Sequence, residues 1–149
     1  ILYASVHHNN TRKVVKHVAS GIQTDVIDIL KTKKPDIGHY EIIIFASGIY
    51  FNTVHKSLLE YIKSTSFAGK KTILLYTCGI AYTDYARSAV KNLKKNGAEH
   101  IGTFHCRGYD TYGILGKIGG IAKKHPNAKD MDKILKKVKK ITNNVLMKD

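Results

Sequence analysis

Residues 40–46 read YEIIIFA, with Ile42, Ile43, Ile44 and Phe45 in an unbroken apolar run. A strand with one wet face alternates apolar and polar side chains. A β-rich run without alternation suits a strand buried on both faces, the pattern of parallel sheets. Residues 72–77, TILLYT, repeat it. Between the two runs, Val54, Leu58, Leu59 and Ile62 recur at helical spacing over residues 54–63. Strand, helix and strand in that order make a crossover unit with parallel pairing.

The same alternation continues in both directions. Upstream, residues 1–5 form a short apolar run, and residues 11–21 carry Val14, Val15 and Val18 on one helical side, with Gly21 as a stop. Residues 26–29 read as a second strand, and the polar stretch 31–38 with Pro35 as a connection. Downstream, residues 82–95 place Tyr85, Ala86, Ala89, Val90 and Leu93 on one helix side, ended by Asn96-Gly97, and residues 101–105 form a fifth strand. A last helix opens at Asn127 with Asp130 three residues on, close to a capping box. Its stripe is Met131, Ile134, Leu135, Val138, Ile141 and Val145. These elements predict an α/β fold: a doubly wound, five-stranded parallel sheet of order 2-1-3-4-5 in a three-layer αβα domain, with residues 1–149 as one domain. Ligands of such sheets bind beyond the carboxyl ends of the strands, where strands 1 and 3 part company.

Composition bounds the chemistry. With 149 residues and 43% hydrophobic content, the chain can bury a core without disulfides or metal. Cys78 and Cys106 form no C-x-x-C or zinc spacing, so no metal site is expected. No apolar stretch approaches the ~18 residues of a membrane span. A soluble cytoplasmic protein is the expectation. Lys and Arg total 25 against 11 Asp and Glu, a formal net charge of +14, which attracts acidic partners or nucleic acid. Only Arg12, Arg87 and Arg107 are arginine, the usual reader of phosphates and bases, so solvated lysine is the plainer explanation. There is no G-x-S-x-G and no Walker loop. Cys78 has no readable base partner for nucleophilic work.

Three loops follow the strand ends that matter. After strand 1, Ser5-Val6-His7-His8-Asn9-Asn10-Thr11 runs straight into a helix. Hydroxyl and amide side chains there suit an anion, which meets free backbone N–H groups and the positive helix end. A plain N-cap turn accounts for the same residues. The two histidines are phosphate donors or exposed loop residues. An adjacent pair alone makes no metal site. After strand 3 comes Ser47-Gly48-Ile49-Tyr50-Phe51, and after strand 4 Thr77-Cys78-Gly79-Ile80. Residues 106–125 are glycine-rich without a sustained period, yet contain Tyr109, Tyr112, Ile114, Leu115, Ile118 and Ile121. A loop this long in a compact domain is commonly functional. An ordered flap and a passive cover over the sheet end both fit.

The loop Ser5-x-x-x-x-Asn10-Thr11 and the helix ARSAVKNLKKNGAE at 86–99 resemble the flavodoxin family. The resemblance spans residues 1 to about 105 and the last helix, and the long glycine loop lies outside it. It implies a flavodoxin-like fold and an FMN cofactor, with the phosphate held by Ser5, Val6, His7, Asn9, Asn10 and Thr11. The usual loop carries a Thr-Gly pair before its last Thr and is one residue shorter. Here Asn9, which tolerates a left-handed backbone, stands in for glycine. By the same resemblance Ser47, Gly48, Ile49, Tyr50 and Phe51 line the flavin. Tyr50 is the stacking ring and Phe51 its alternative. Thr77, Cys78 and Gly79 meet the flavin's edge, and Ile80 stands where the family commonly has a carboxylate.

The function so implied is that of an FMN-binding electron-transfer flavoprotein, more carrier than enzyme, with no catalytic acid or base required. Its redox partner would be an acidic protein, and the surrounding positive field would favour the reduced cofactor. The alternatives are a basic module of the same fold without cofactor, docking nucleic acid or an acidic surface, and a small FMN-dependent reductase with a substrate under the 106–125 loop. Nucleic acid is the less favoured partner, because no aromatic side chains interleave the lysines of the last helix.

Overall fold

The computed structural model describes residues 1–147. Five strands, β1 (Leu2–Ala4), β2 (Ile27–Asp28), β3 (Ile42–Tyr50), β5 (Lys71–Cys78) and β6 (Glu99–Arg107), form a parallel sheet of order β2-β1-β3-β5-β6. This is the predicted doubly wound order. A short β4 (Thr53–Val54) adds antiparallel to the end of β3. The helices are α1 (Asn10–Ile22), α2 (Lys56–Ser64), α3 (Arg87–Lys95), the single turn α4 (Ile114–Lys117) and α5 (Ala128–Leu146).

The run that predicted a doubly buried strand is one. Phe45 packs with Leu58, Ile62, Ala89 and Leu93 on the α2/α3 side. Ile44 and Ala46 pack with Val14, Val15, Val18, Ile134 and Val138 on the α1/α5 side. Successive side chains point to opposite faces, so a strand between two helix layers needs apolar residues at every position. Phe45 is fully buried, and truncating such a residue to alanine costs about 3–5 kcal/mol.

Local chemistry accounts for most boundaries, and a few expectations need correction. Asn127 caps α5 as predicted: its side chain accepts the Asp130 amide while Asp130 accepts the Asn127 amide. Gly21 does not stop α1, which runs on to Ile22 and ends at Gln23 in a left-handed conformation. A Cβ at Gly21 would lie 2.5 Å from Leu135 Cδ1, so this glycine lets α5 lie close on α1. Helix α3 begins at Arg87 rather than residue 82, because Tyr82–Ala86 forms an irregular turn in which Asp84 accepts the Ala86 amide. The loop expected after residue 46 is instead strand and hairpin. β3 continues to Tyr50, Phe51 and Asn52 turn with positive φ of 51° and 63°, and β4 returns. Two such residues give the left-handed two-residue turn that matches strand twist.

Candidate functional site

The carboxyl ends of β1, β3, β5 and β6 open on a cleft of about 750 Å³. Its floor begins with the loop between β1 and α1. His8 and Asn9 both take φ of 54°, the conformation expected of Asn9 in place of glycine. The Arg12 amide donates to Ser5 Oγ (3.3 Å), and the first helical bond runs from Lys13 N to Asn9 O (3.0 Å). The amides of residues 8–11 have no acceptor among the described residues. Thr11 is buried, its hydroxyl sharing a hydrogen bond with Thr77 (2.9 Å).

The hairpin forms one wall. Ser47 is fully buried and pins the turn from behind, its hydroxyl bonded to Gly48 O (2.6 Å) and accepting the His55 amide (2.8 Å). The Tyr50 ring folds back over Gly48, where a Cβ would lie 2.9 Å from the phenol oxygen. That oxygen accepts the Val6 amide at 3.2 Å. Burial raises the phenol's pKa, and the amides of Val6 and His7 oppose the rise. Phe51 is 84% exposed at the hairpin tip, edge-to-face with Tyr112 at 5.8 Å.

The end of β5 supplies the opposite wall. Cys78 O accepts the Gly108 amide (2.9 Å), and Gly79 O accepts Arg107 Nε (3.2 Å). Burial pushes the Cys78 thiol up to about 11 and the Cys106 thiol to about 12, so neither is a thiolate nucleophile at neutral pH.

Residues 108–125 form a flap beside the cleft, with Gly108 to Gly113, Leu115 and Ile121 among its lining residues. An antiparallel bridge joins Asp110 to Ile121. Two bonds latch the flap to the amide-bearing loop: Asn10 Nδ2 donates to Tyr109 O (2.8 Å), and His8 Nε2 pairs with Thr111 Oγ1 (2.8 Å). The His8 ring also lies 4.3 Å from that of Tyr109. Asp110 projects against Gly79, where a Cβ would lie 2.7 Å from its Oδ2.

Ten of the residues singled out from sequence line the cleft: His7, Asn10, Thr11, Gly48, Ile49, Tyr50, Phe51, Thr77, Cys78 and Gly79. Ser5, Val6, Asn9 and Ser47 do not; they shape the loops that do. Sequence reasoning missed Asn52, Tyr82, Tyr85, Asp110 and Thr111 as lining residues, while His8, open between phosphate donor and exposed loop residue, lines the cleft. Tyr82 was assigned to a helix, and the flap has no period from which an inward face could be read. The described walls hold one carboxylate, Asp110, and no lysine or arginine.

These residues fit an FMN molecule. A row of free amides at a helix start suits a phosphate dianion. Asn10 Oδ1 is buried without a partner and, as an acceptor, suits a hydroxyl of the sugar-like chain. Aromatic side chains border the remaining volume, which falls in the range of cofactor sites. No group of three or more metal-ligating side chains occurs among the described residues, and no described helix is long and apolar enough to cross a membrane.

The chain matches the flavodoxin domain family over residues 1–119. An uncharacterized protein of Methanocaldococcus jannaschii is 38% identical over 146 residues, 97% of each chain. Flavodoxin 1 of Bacillus cereus superposes with a TM-score of 0.66 at 21% identity, covering 91% of this chain and 90% of that one. The flavodoxin of Streptococcus pneumoniae gives 0.68 at 13% identity, covering 96% of each chain.

Proposed function

The chain belongs to the flavodoxin domain family, and we propose that it holds FMN in the 750 Å³ cleft and serves as a cytoplasmic electron carrier. The observation that carries this reading is the run of unpartnered amides at residues 8–11, beside a cleft whose lining has no lysine or arginine among the described residues. A phosphate is bound there by dipoles, with Thr11 as an added hydroxyl donor. Asn10 orients the hydroxylated chain. Tyr50 and Phe51 border one ring face, and Thr77 to Gly79 meet the ring edge. The bound flavin supplies the electron chemistry, while the protein supplies position, electrostatics and exclusion of water. A small FMN-dependent reductase is the second reading, and the latched flap over the cleft favours it.

The test is an absorbance spectrum of the purified protein, mass identification of any released chromophore, and titration of the stripped protein with FMN and riboflavin. FMN binding well above riboflavin binding is expected. A colourless protein that leaves FMN fluorescence unquenched would overturn the proposal.

A further inference from the structure

The segments that border the cleft carry large, exposed apolar side chains. Phe51 is on the hairpin, Ile80 and Tyr82 follow β5, and Tyr112, Ile114 and Ile118 are on the flap. All are more than half exposed, Ile114 and Ile118 at 75% and 70%. Exposed apolar side chains gathered on the segments that border one opening mark an interaction site rather than scattered surface residues. The ring is also held in place before any partner arrives. Tyr82 donates to Asn52 Oδ1 at 2.6 Å, and Phe51 meets Tyr112 edge-to-face. Side chains already fixed lose less entropy on docking.

Charge selects the occupant. Lys117, Lys123 and Lys124 stand on the flap, Arg12 and Lys13 in the first turn of α1, and Lys56 at the start of α2. The helix starts at this end add their positive dipole ends. Asp110 is the carboxylate of the flap, the first turn of α1 holds none, and Lys56 is paired with Glu60 at 3.7 Å, so the flap lysines and the start of α1 carry the positive excess. A second copy of the chain brings another net charge of +14 to the contact. A bilayer calls for one continuous apolar face, whereas this ring is split over three segments and its only helix is one turn long.

We propose that the mouth ring is the docking surface for an acidic redox protein with an apolar centre, Ile114 and Ile118 anchoring it and the surrounding lysines steering it. The inference rests on the carrier reading and gives that carrier its partner class. Opposite charge accelerates encounter and the apolar centre sets lifetime.

The test uses the FMN-loaded protein, isotope-labelled and titrated at low salt with an acidic two-iron ferredoxin as probe. Expected are resonance shifts confined to residues 51–52, 80–82 and 112–118. Ile114→Ser with Ile118→Ser, at positions outside the cleft lining, should weaken binding by about tenfold or more, with FMN affinity and melting temperature unchanged. Shifts centred on the lysines of α5, unchanged affinity in the double variant, or no binding would overturn the proposal. So would ring-mediated dimers, or binding to phosphatidylglycerol vesicles in place of the ferredoxin. Should the purified protein take up no FMN, the same titration is run without it, and ring shifts there would uphold the docking surface and sink the carrier reading, so the two fail separately.

Discussion

The phenol oxygen of Tyr50 accepts the backbone amide of Val6 at 3.2 Å, across 44 residues of sequence. The hairpin is thereby tied to the loop whose later amides are free. Tyr50 is held by its hydroxyl as well as its ring, whereas Phe51, next in sequence, is 84% exposed. The two aromatics are therefore constrained in different ways, and substitution separates them. Tyr50→Phe should lower stability by about 0.5–1.5 kcal/mol, the net worth of one such bond, read by chemical denaturation. If Tyr50 is the stacking ring, Tyr50→Ala raises the fluorescence of bound flavin and Phe51→Ala leaves it quenched. The reverse pattern assigns the stack to Phe51.

Thr11→Val combined with Asn10→Ala should weaken FMN binding by at least about tenfold, since a hydrogen bond to a charged group contributes about 1.5–3 kcal/mol. Riboflavin, which lacks the phosphate, should lose less. Fluorescence titration of stripped protein with both ligands is the measurement, and equal losses would move the phosphate away from this loop.

Asp110 is the carboxylate that sequence inspection did not find at position 80. It enters from the flap and stands against Gly79. On the proposed reading its negative charge stands beside the cofactor and disfavours adding electrons to it. Two unit charges about 4 Å apart interact by about 4 kcal/mol near a protein surface, falling inversely with distance. Asp110→Asn keeps an acceptor for the Tyr112 amide and should favour the reduced cofactor by about tenfold, or about 59 mV for one electron. A redox titration reads this directly.

Gly79→Ala tests the same geometry from the other side. Its Cβ would fall 2.7 Å from Asp110 Cβ and 3.0 Å from Ile121, so the flap must move out. Faster proteolysis within residues 108–125 is expected, with the core's melting transition retained.

Acid should weaken the fold in two stages. Burial lowers the pKa of His100, with Lys94 adding to the effect, and lowers that of His105, with Lys137 and Lys133 adding. Their unfolded forms hold protons at pH values where the folded forms do not. Stability therefore falls as pH drops below about 6.5, the unfolded histidine value. At Asp130, burial works upward, but the Asn127 amide and His125 outweigh it and hold the carboxyl below 3.8. Its contribution is present above the unfolded value and is lost as pH falls through the folded one. Melting temperature measured from pH 7 to 3 should decline in both windows. His100→Gln should flatten the first and spare the second.

The parallel core was legible because burial on two faces leaves a mark in every residue of a strand, as Ile42 to Phe45 show. The capping box at Asn127 and Asp130 was legible because it acts over three residues. Ser47 to Tyr50 was not, since small residues and glycine read as loop, and β4, which completes the hairpin, is two residues long. Gly21 misled because its purpose is a contact with Leu135, distant in sequence. The latch between His8 and Thr111 spans 103 residues and has no local signal. Contacts of this kind hold residues 108–125 against the cleft, which is why the sequence marks that stretch as functional without showing which of its side chains face inward.

Among the described residues the cleft walls carry no lysine or arginine, although the chain has 25. On the proposed reading, cofactor retention and outer charge are thus independent variables. Charges in solvent are screened beyond about 8 Å at physiological ionic strength, while backbone dipoles inside the cleft act at contact. A lineage could exchange lysine for glutamate across the whole outer shell, changing which proteins it meets, without loosening its grip on a phosphate. Polarity of the exterior would then record the company a chain keeps rather than the chemistry it performs.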